Sequence, residues 1–149
     1  MCVMKDILFR GKVHESEPMD HPILTPGDWV YGGCVVVGGQ PYILCESGLY
    51  DVVCPTGGVE LVKVDPDTLG EYTGMDDASE CKIFEGDIVK SGKTFFGAVE
   101  YDADYCRFLA VNGEIYDILR KESEVVGNIY DSPDFLTVSH AADSQKPSE

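Results

Sequence analysis

The sequence predicts a mainly β protein, built from antiparallel strands and hairpins with a small SH3-like barrel in its C-terminal half and little helix. Three observations predict it. β-Branched and aromatic residues gather in short runs. Clusters of Gly, Asp, Asn and Ser interrupt those runs. Few stretches keep the i, i+3, i+4 periodicity of an amphipathic helix.

Ile7-Leu8-Phe9-Arg10 is the first expected strand, and Trp29 to Val37 the second, with a loop-like Val13 to Pro26 between them. Gly38-Gly39 separates Val35-Val36-Val37 from Pro41-Tyr42-Ile43-Leu44, and adjacent glycines reach the positive φ of a tight hairpin. Val59 to Val64 ends at Asp65-Pro66, because proline restricts the residue before it and cannot donate to a ladder. From Glu85 onward, runs and turns alternate: Ile88-Val89-Lys90, a Ser91-Gly92-Lys93 turn, Thr94 to Tyr101, an Asp102-Ala103-Asp104 turn, and Tyr105 to Val111. An Asn112-Gly113 turn, Glu114 to Leu119 and a closing strand Val125 to Tyr130 complete the series. Such a meander must close or pack on another sheet to protect its edges, which is the argument for the barrel. The expected organisation is one β domain over 1–136, with N-terminal strands over 7–64, a motif turn over 64–87 and a barrel-like meander over 88–136. The polar tail 137–149 has little to bury and is expected to be disordered.

Composition excludes several function classes. In 149 residues, 11 Lys+Arg stand against 27 Asp+Glu, a formal charge of −16. Affinity for nucleic acid comes largely from Lys and Arg neutralising phosphates, so a nucleic-acid coat protein is excluded. The basic clusters are short: Arg10 with Lys12, Lys90 with Lys93, and Arg120-Lys121. No direct binding to duplex DNA is expected unless they converge in space. Apolar runs stop at four residues, as in Cys34 to Val37, whereas a membrane span needs ~20 and a signal peptide ~7–15. A cytoplasmic protein with no membrane association is therefore expected.

The six cysteines contain no C-x-x-C pair, and His14, His21 and His140 stand far from any zinc-like spacing. They read as reduced thiols, mostly buried, with Cys34 and Cys106 in strand-like runs as core candidates. Trp29, alone of its kind and at the head of an apolar run, is expected to be a shielded anchor.

Three apparent motifs fail on inspection. Gly86 to Thr94 resembles a phosphate-binding loop but carries one residue too many and precedes a strand rather than a helix. Asp65, Asp67 and Asp76 mimic part of a calcium loop, yet Leu69 occupies a ligand position. Acid pairs such as Asp76-Asp77, or Glu85 with Asp87, are expected by chance among 27 acids. No catalytic residue, cofactor site or metal site is assigned, and the chain is read as not an enzyme.

The residues also carry a resemblance. Ile7-Leu8-Phe9-Arg10-Gly11-Lys12, Gly27-Asp28-Trp29-Val30-Tyr31-Gly32 and Val64-Asp65-Pro66-Asp67-Thr68-Leu69-Gly70-Glu71-Tyr72-Thr73-Gly74 resemble, in order, signatures of the YopX family of bacteriophages and prophages. Lys82-Ile83-Phe84-Glu85-Gly86-Asp87-Ile88-Val89 and Val125-Val126-Gly127-Asn128-Ile129-Tyr130-Asp131-Ser132-Pro133 continue the match. Two places depart from the family: the long Val13 to Pro26 link, and Ser79-Glu80 where Asn-Gly is usual. The resemblance implies a phage-borne, largely β protein without an assigned activity. Its motif residues Arg10, Gly11, Trp29, Asp65, Pro66, Gly70, Tyr72, Gly74, Glu85, Gly86, Asp87, Gly127 and Asn128 are read as fold determinants. The expected role is a non-enzymatic interaction or assembly module, homo-oligomeric or bound to a host or phage protein. The alternative is an acidic accessory of nucleic-acid transactions that binds or mimics DNA.

Overall fold

The computed structural model describes residues 6–16, 24–46 and 59–137. Expectations for Cys2, Cys54, His21, His140 and the tail beyond 137 fall outside them. The described strands are β1 (Phe9–Lys12), β2 (Trp29–Val37), β3 (Gln40–Glu46), β4 (Val59–Lys63), β5 (Gly70–Asp76), β6 (Lys82–Phe84), β7 (Asp87–Ser91), β8 (Phe95–Asp102), β9 (Arg107–Asn112), β10 (Ile115–Ile118) and β11 (Glu124–Asn128). A 3-10 turn at Pro66–Thr68 and one helical turn at 134–137 are the helical elements among these residues. The protein is mainly β, as its sequence predicts. Within the span that the sequence reading takes as one domain, the chain gathers into two compact units, Met1–Tyr72 and Thr73–Glu149.

In the first unit the strand order is β4-β3-β2-β1-β5, all antiparallel. Alternation sorts its residues onto two faces. Val13, Val30, Ile43, Cys45, Val62 and Val64 form the core on one face, in register through Gly11↔Val30, Cys34↔Ile43 and Ile43↔Val62. The Gly38-Gly39 hairpin forms as its sequence requires, with both glycines at positive φ, 58° and 81°. A lone bridge, Val13↔Val64, draws the end of β1 toward the end of β4. The Asp65-Pro66-Asp67-Thr68 segment fixes it there: Asp65 N–H donates to the Lys12 carbonyl at 2.8 Å, and Thr68 Oγ1 accepts from Lys12 N–H at 2.8 Å.

In the second unit the order is β10-β9-β8-β7-β11, over a core of Ile83, Val89, Val99, Ala110 and Leu119. The expected closed SH3-like barrel does not form. Among the described residues β10 pairs with β9 alone and β11 with β7 alone, so both stay edges. The reason lies in β10, which is four residues long before the chain turns inward at buried Leu119. Curling still occurs. Ser91 Oγ on β7 donates to Asp117 Oδ2 on β10 at 3.1 Å, although three strand spacings in a flat sheet would be about 14 Å. The bond joins edge strand β10 to β7, the neighbour of the other edge strand β11.

Several boundaries differ from expectation for identifiable reasons. β5 and β6 occupy much of the expected motif turn 64–87, because Gly70 and Gly74 masked the period-2 pattern of β5. Residues 70–76 being strand, the spacing of Asp65, Asp67 and Asp76 does not form the loop a calcium site needs. The stretch resembling a phosphate loop is β7 and its turn into β8. Tyr105 and Cys106 belong to the β8–β9 turn, where Cys106 adopts φ 51° and is exposed, so it is not a core residue. Among the described thiols Cys45 is buried, Cys34 half-buried and Cys81 exposed like Cys106, so the expectation of mostly buried thiols does not hold for them. The β9–β10 loop is Gly113-Glu114, one residue later than expected, since Asn112 ends β9 opposite Ile115.

Glu80, in the Ser79-Glu80 departure from the usual Asn-Gly, stands at φ 65°. A left-handed backbone costs a side-chain-bearing residue ~1–2 kcal/mol, part of which glycine returns through its freer unfolded chain. Glu80→Gly is expected to raise stability by about 0.5–1 kcal/mol in urea unfolding followed by circular dichroism. A loss of stability would contradict the strain argument.

Candidate functional site

The motif residues of the first unit act on its backbone. Gly11 lies on the core face, where an added Cβ would sit 3.0 Å from Val64. Asp65 caps the 3-10 turn by accepting from Asp67 N–H at 3.0 Å, with Pro66 at the first helical position where its missing N–H costs nothing. Gly70 pairs with Arg10, and buried Tyr72 donates its N–H to the Leu8 carbonyl at 2.8 Å. Trp29 is half-buried rather than the shielded anchor expected, and its neighbour Val30 is the buried residue. The difference follows from register: Trp29 pairs with Lys12 on the face opposite the core. There the buried Arg10 guanidinium lies 4.7 Å from the indole centroid and Lys12 Nζ 5.3 Å, so two cations shield the ring by cation–π contact.

In the second unit two distant motifs meet. The Glu85-Gly86-Asp87 turn leads into β7, and Gly127-Asn128 ends β11; the strands pair as Asp87↔Asn128 and Gly127↔Ile88, with a bulge between Val125 and Gly127. Asp87, 2% exposed, accepts from Phe84 N–H at 2.8 Å and so closes the turn. Gly86 has φ 90°, and its N–H and carbonyl bond Val99 and Ile129, both at 2.9 Å. A Cβ at Gly127 would come within 2.9 Å of Ser132, so this position is reserved for glycine by close approach. Asn128 Oδ1 accepts from Tyr130 and Asp131 N–H at 3.0 and 2.8 Å, which turns the chain after β11. Gly74 lies in β5 at φ 87°, and Glu85 is half-buried.

Residues 46–137, more than half of the chain, match the family described as YopX protein. The chain belongs to the YopX family. No curated protein matches it significantly. The matched span includes β5 to β11 and both paired motifs of the second unit, so in this family member the shared residues coincide with the strand pairing just described.

Sequence reasoning missed Asp77, which it treated as one of many chance acid pairs. The side chain is 7% exposed. Its Oδ1 accepts from Ser79 and Cys81 N–H, both at 2.8 Å, and its Oδ2 from Val125 N–H at 3.0 Å, tying the β5–β6 turn to the start of β11. The local signal was present as Asp-x-Ser, an Asx turn; the bond to Val125 spans 48 residues and left no trace in sequence. Burial pushes the Asp77 pKa up, but the Val125, Cys81 and Ser79 N–H groups together outweigh it and hold the carboxyl below its ordinary value. Among the thiols, burial pushes Cys34 above the ordinary range, which keeps it protonated and weakly nucleophilic. Among the described residues no three His, Cys, Asp or Glu side chains gather as a metal site, and no helix is long and apolar enough to cross a membrane.

Apolar surface is also left exposed among the described residues. On the outer face of the first sheet, Val35, Val37, Leu44 and Leu61 are 41%, 61%, 38% and 49% exposed. The register Gly33↔Leu44↔Leu61 and Val35↔Tyr42↔Lys63 sets them side by side, with Gly33 leaving a shallow dip. In the second unit, Ile115, Tyr116 and Ile118 of edge strand β10 are 58%, 60% and 54% exposed.

Asp77→Ala strands three N–H groups and is expected to cost about 2–4 kcal/mol at pH 7, read by urea unfolding. A carboxyl held low in the folded state stabilises above its unfolded pKa of ~3.9 and loses that contribution as pH falls through the folded value. The gap between wild type and variant should therefore narrow below about pH 4. A gap independent of pH would contradict the assignment.

Proposed function

We propose that this YopX-family chain is a non-enzymatic interaction module that engages a host or phage protein through the outer face of its first sheet. The observation that carries this reading is the division of labour among side chains. Polar motif residues such as Asp65, Asp87 and Asn128 bond their own backbone, while Val35, Val37, Leu44 and Leu61 are left facing solvent. Contiguous exposed apolar surface on a soluble domain commonly marks a contact site. The charge of −16 favours a partner of net positive charge, while Lys12 and Lys63 stand on the contact face itself.

A second reading, an accessory of nucleic-acid transactions, has one observation in its favour. The β7–β8 turn with Lys90 and Lys93 and the segment with Arg120 and Lys121 lie at one end of the second sheet, since Glu124 pairs Lys90 and Asp117 bonds both Ser91 and Arg120. Asp117, Glu122 and Glu124 interleave with these cations, which weakens any field toward phosphate. Mimicry of DNA charge toward a DNA-binding protein fits the composition better than contact with DNA itself.

The test is capture from host lysate with the tagged chain beside Leu44→Lys/Leu61→Lys. Exposed substitutions of this kind usually change stability by less than ~0.5 kcal/mol. A specific protein captured by wild type and lost with the double variant at unchanged melting temperature supports the reading. Capture of nucleic acid, or steeply salt-dependent micromolar binding of labelled duplex lost with Lys90, Lys93, Arg120 and Lys121 all changed to Ala, would replace it by the second.

A further inference from the structure

We infer that edge strand β10, with the pocket at its hairpin end, is a strand-addition site for an extended peptide segment that carries an arginine or lysine. The inference rests on the interaction-module reading and names a second surface for it. β10 pairs with β9 on one side and has no strand on the other among the described residues. In a hairpin with a two-residue loop the closing pair Asn112↔Ile115 exchanges both of its hydrogen bonds, so Tyr116 and Ile118 direct their backbone groups outward. Asp117 Oδ1 already accepts the Ile118 N–H at 2.8 Å, which leaves the Tyr116 N–H and the carbonyls of both residues as the open edge.

Natural edge strands are blunted by lysine, proline or bulges. The strand Ile115-Tyr116-Asp117-Ile118 is short and turns Asp117 inward opposite Ala110, but it carries no lysine, proline or bulge and is more than half exposed at its three apolar residues. Beside it, at the hairpin end, lies a pocket of about 590 Å³ lined by Asn112, Gly113, Glu114, Ile115, Leu136 and Thr137. The Asn112 amide is engaged with the Phe96 and Leu136 carbonyls at 2.9 and 3.2 Å. Among the described residues Glu114 is therefore the charged group lining this pocket. An aliphatic stem ending in a cation matches that lining, which is the chemistry of an arginine or lysine side chain.

Charge also sets direction. The hairpin end of β10 carries Glu114, whereas Arg120 and Lys121 follow its other end. A partner strand with its cation at the pocket meets opposite charge there and avoids like charge at the far end. A second copy of this chain fits less well. Two-fold antiparallel pairing of β10 sets residues of equal parity opposite, which brings Asp117 against either Asp117 or Ile115 of the copy.

The test uses the full chain and labelled six-residue peptides of alternating valine and threonine ending in arginine, read by fluorescence polarisation. The expected result is micromolar binding, weakened at least tenfold when glutamate replaces the arginine and at least tenfold by Glu114→Lys. Alternate backbone N-methylation of the peptide removes its edge-facing donors without touching the protein, and should abolish binding. Equal binding of the N-methylated or glutamate peptide, or no binding at all, would overturn the inference. A protein captured from lysate at full strength by Glu114→Lys would leave the interaction-module reading standing while removing this site from it.

Discussion

The pairing of β7 with β11 is the constraint on which the second unit depends. β7, β8, β9 and β10 follow one another through short turns, and such a meander assembles from local contacts. β11 returns from the far end of the chain to cover the other side of β7. Holding it there needs a tight turn before β7, supplied by Gly86 and Asp87, and a close approach at Gly127. It also needs a fixed start for β11, supplied by the Asp77 carboxylate on Val125. These groups lie far apart in sequence and act on one strand pair, so loss of any one exposes the same core residues, Val89 and Val99 among them.

A similar economy governs the first unit. Its core is a single layer of aliphatic residues and Cys45, and the sheet curves enough for Val13 to bridge Val64. The Thr68 hydroxyl, donating to Asp65 and accepting from Lys12, is buried with both of its hydrogen bonds satisfied. Several aspartates in both units, Asp28, Asp65, Asp77, Asp87, Asp102 and Asp117, accept backbone N–H groups, where a carboxylate is at once a strong acceptor and a local cap. This use of acids accounts for part of an excess that composition alone would assign to a partner.

Surface chemistry follows from the same alternation that builds the cores. Each strand that buries Val30, Ile43 or Val62 on one side must present Trp29, Leu44 or Leu61 on the other. On the first sheet that second face sets aliphatic Val35, Val37, Leu44 and Leu61 beside Trp29, Arg10, Lys12 and Lys63, and its aliphatic part gives it value as a contact surface. On the second sheet the open resource is an edge, because the sheet curls without closing.

The amino-acid sequence by itself determined the strands other than β5 and β6, their antiparallel sense and most of their turns. Runs of β-branched residues broken by Gly38-Gly39 or Gly92 leave the backbone few alternatives, and these are interactions within a few residues. The family was legible too, because its segments are short and recur in order. Tertiary structure alone decided which strands become edges, that Trp29 faces away from the core, that Cys106 sits in a turn, and that Asp77 holds β11. Each of these depends on register and curvature summed over several strands, where a shift of one residue moves a side chain to the opposite face. No local pattern encodes that sum, so the closed barrel expected from the meander became an open sheet in which edge strand β10 reaches β7 through Asp117 and Ser91.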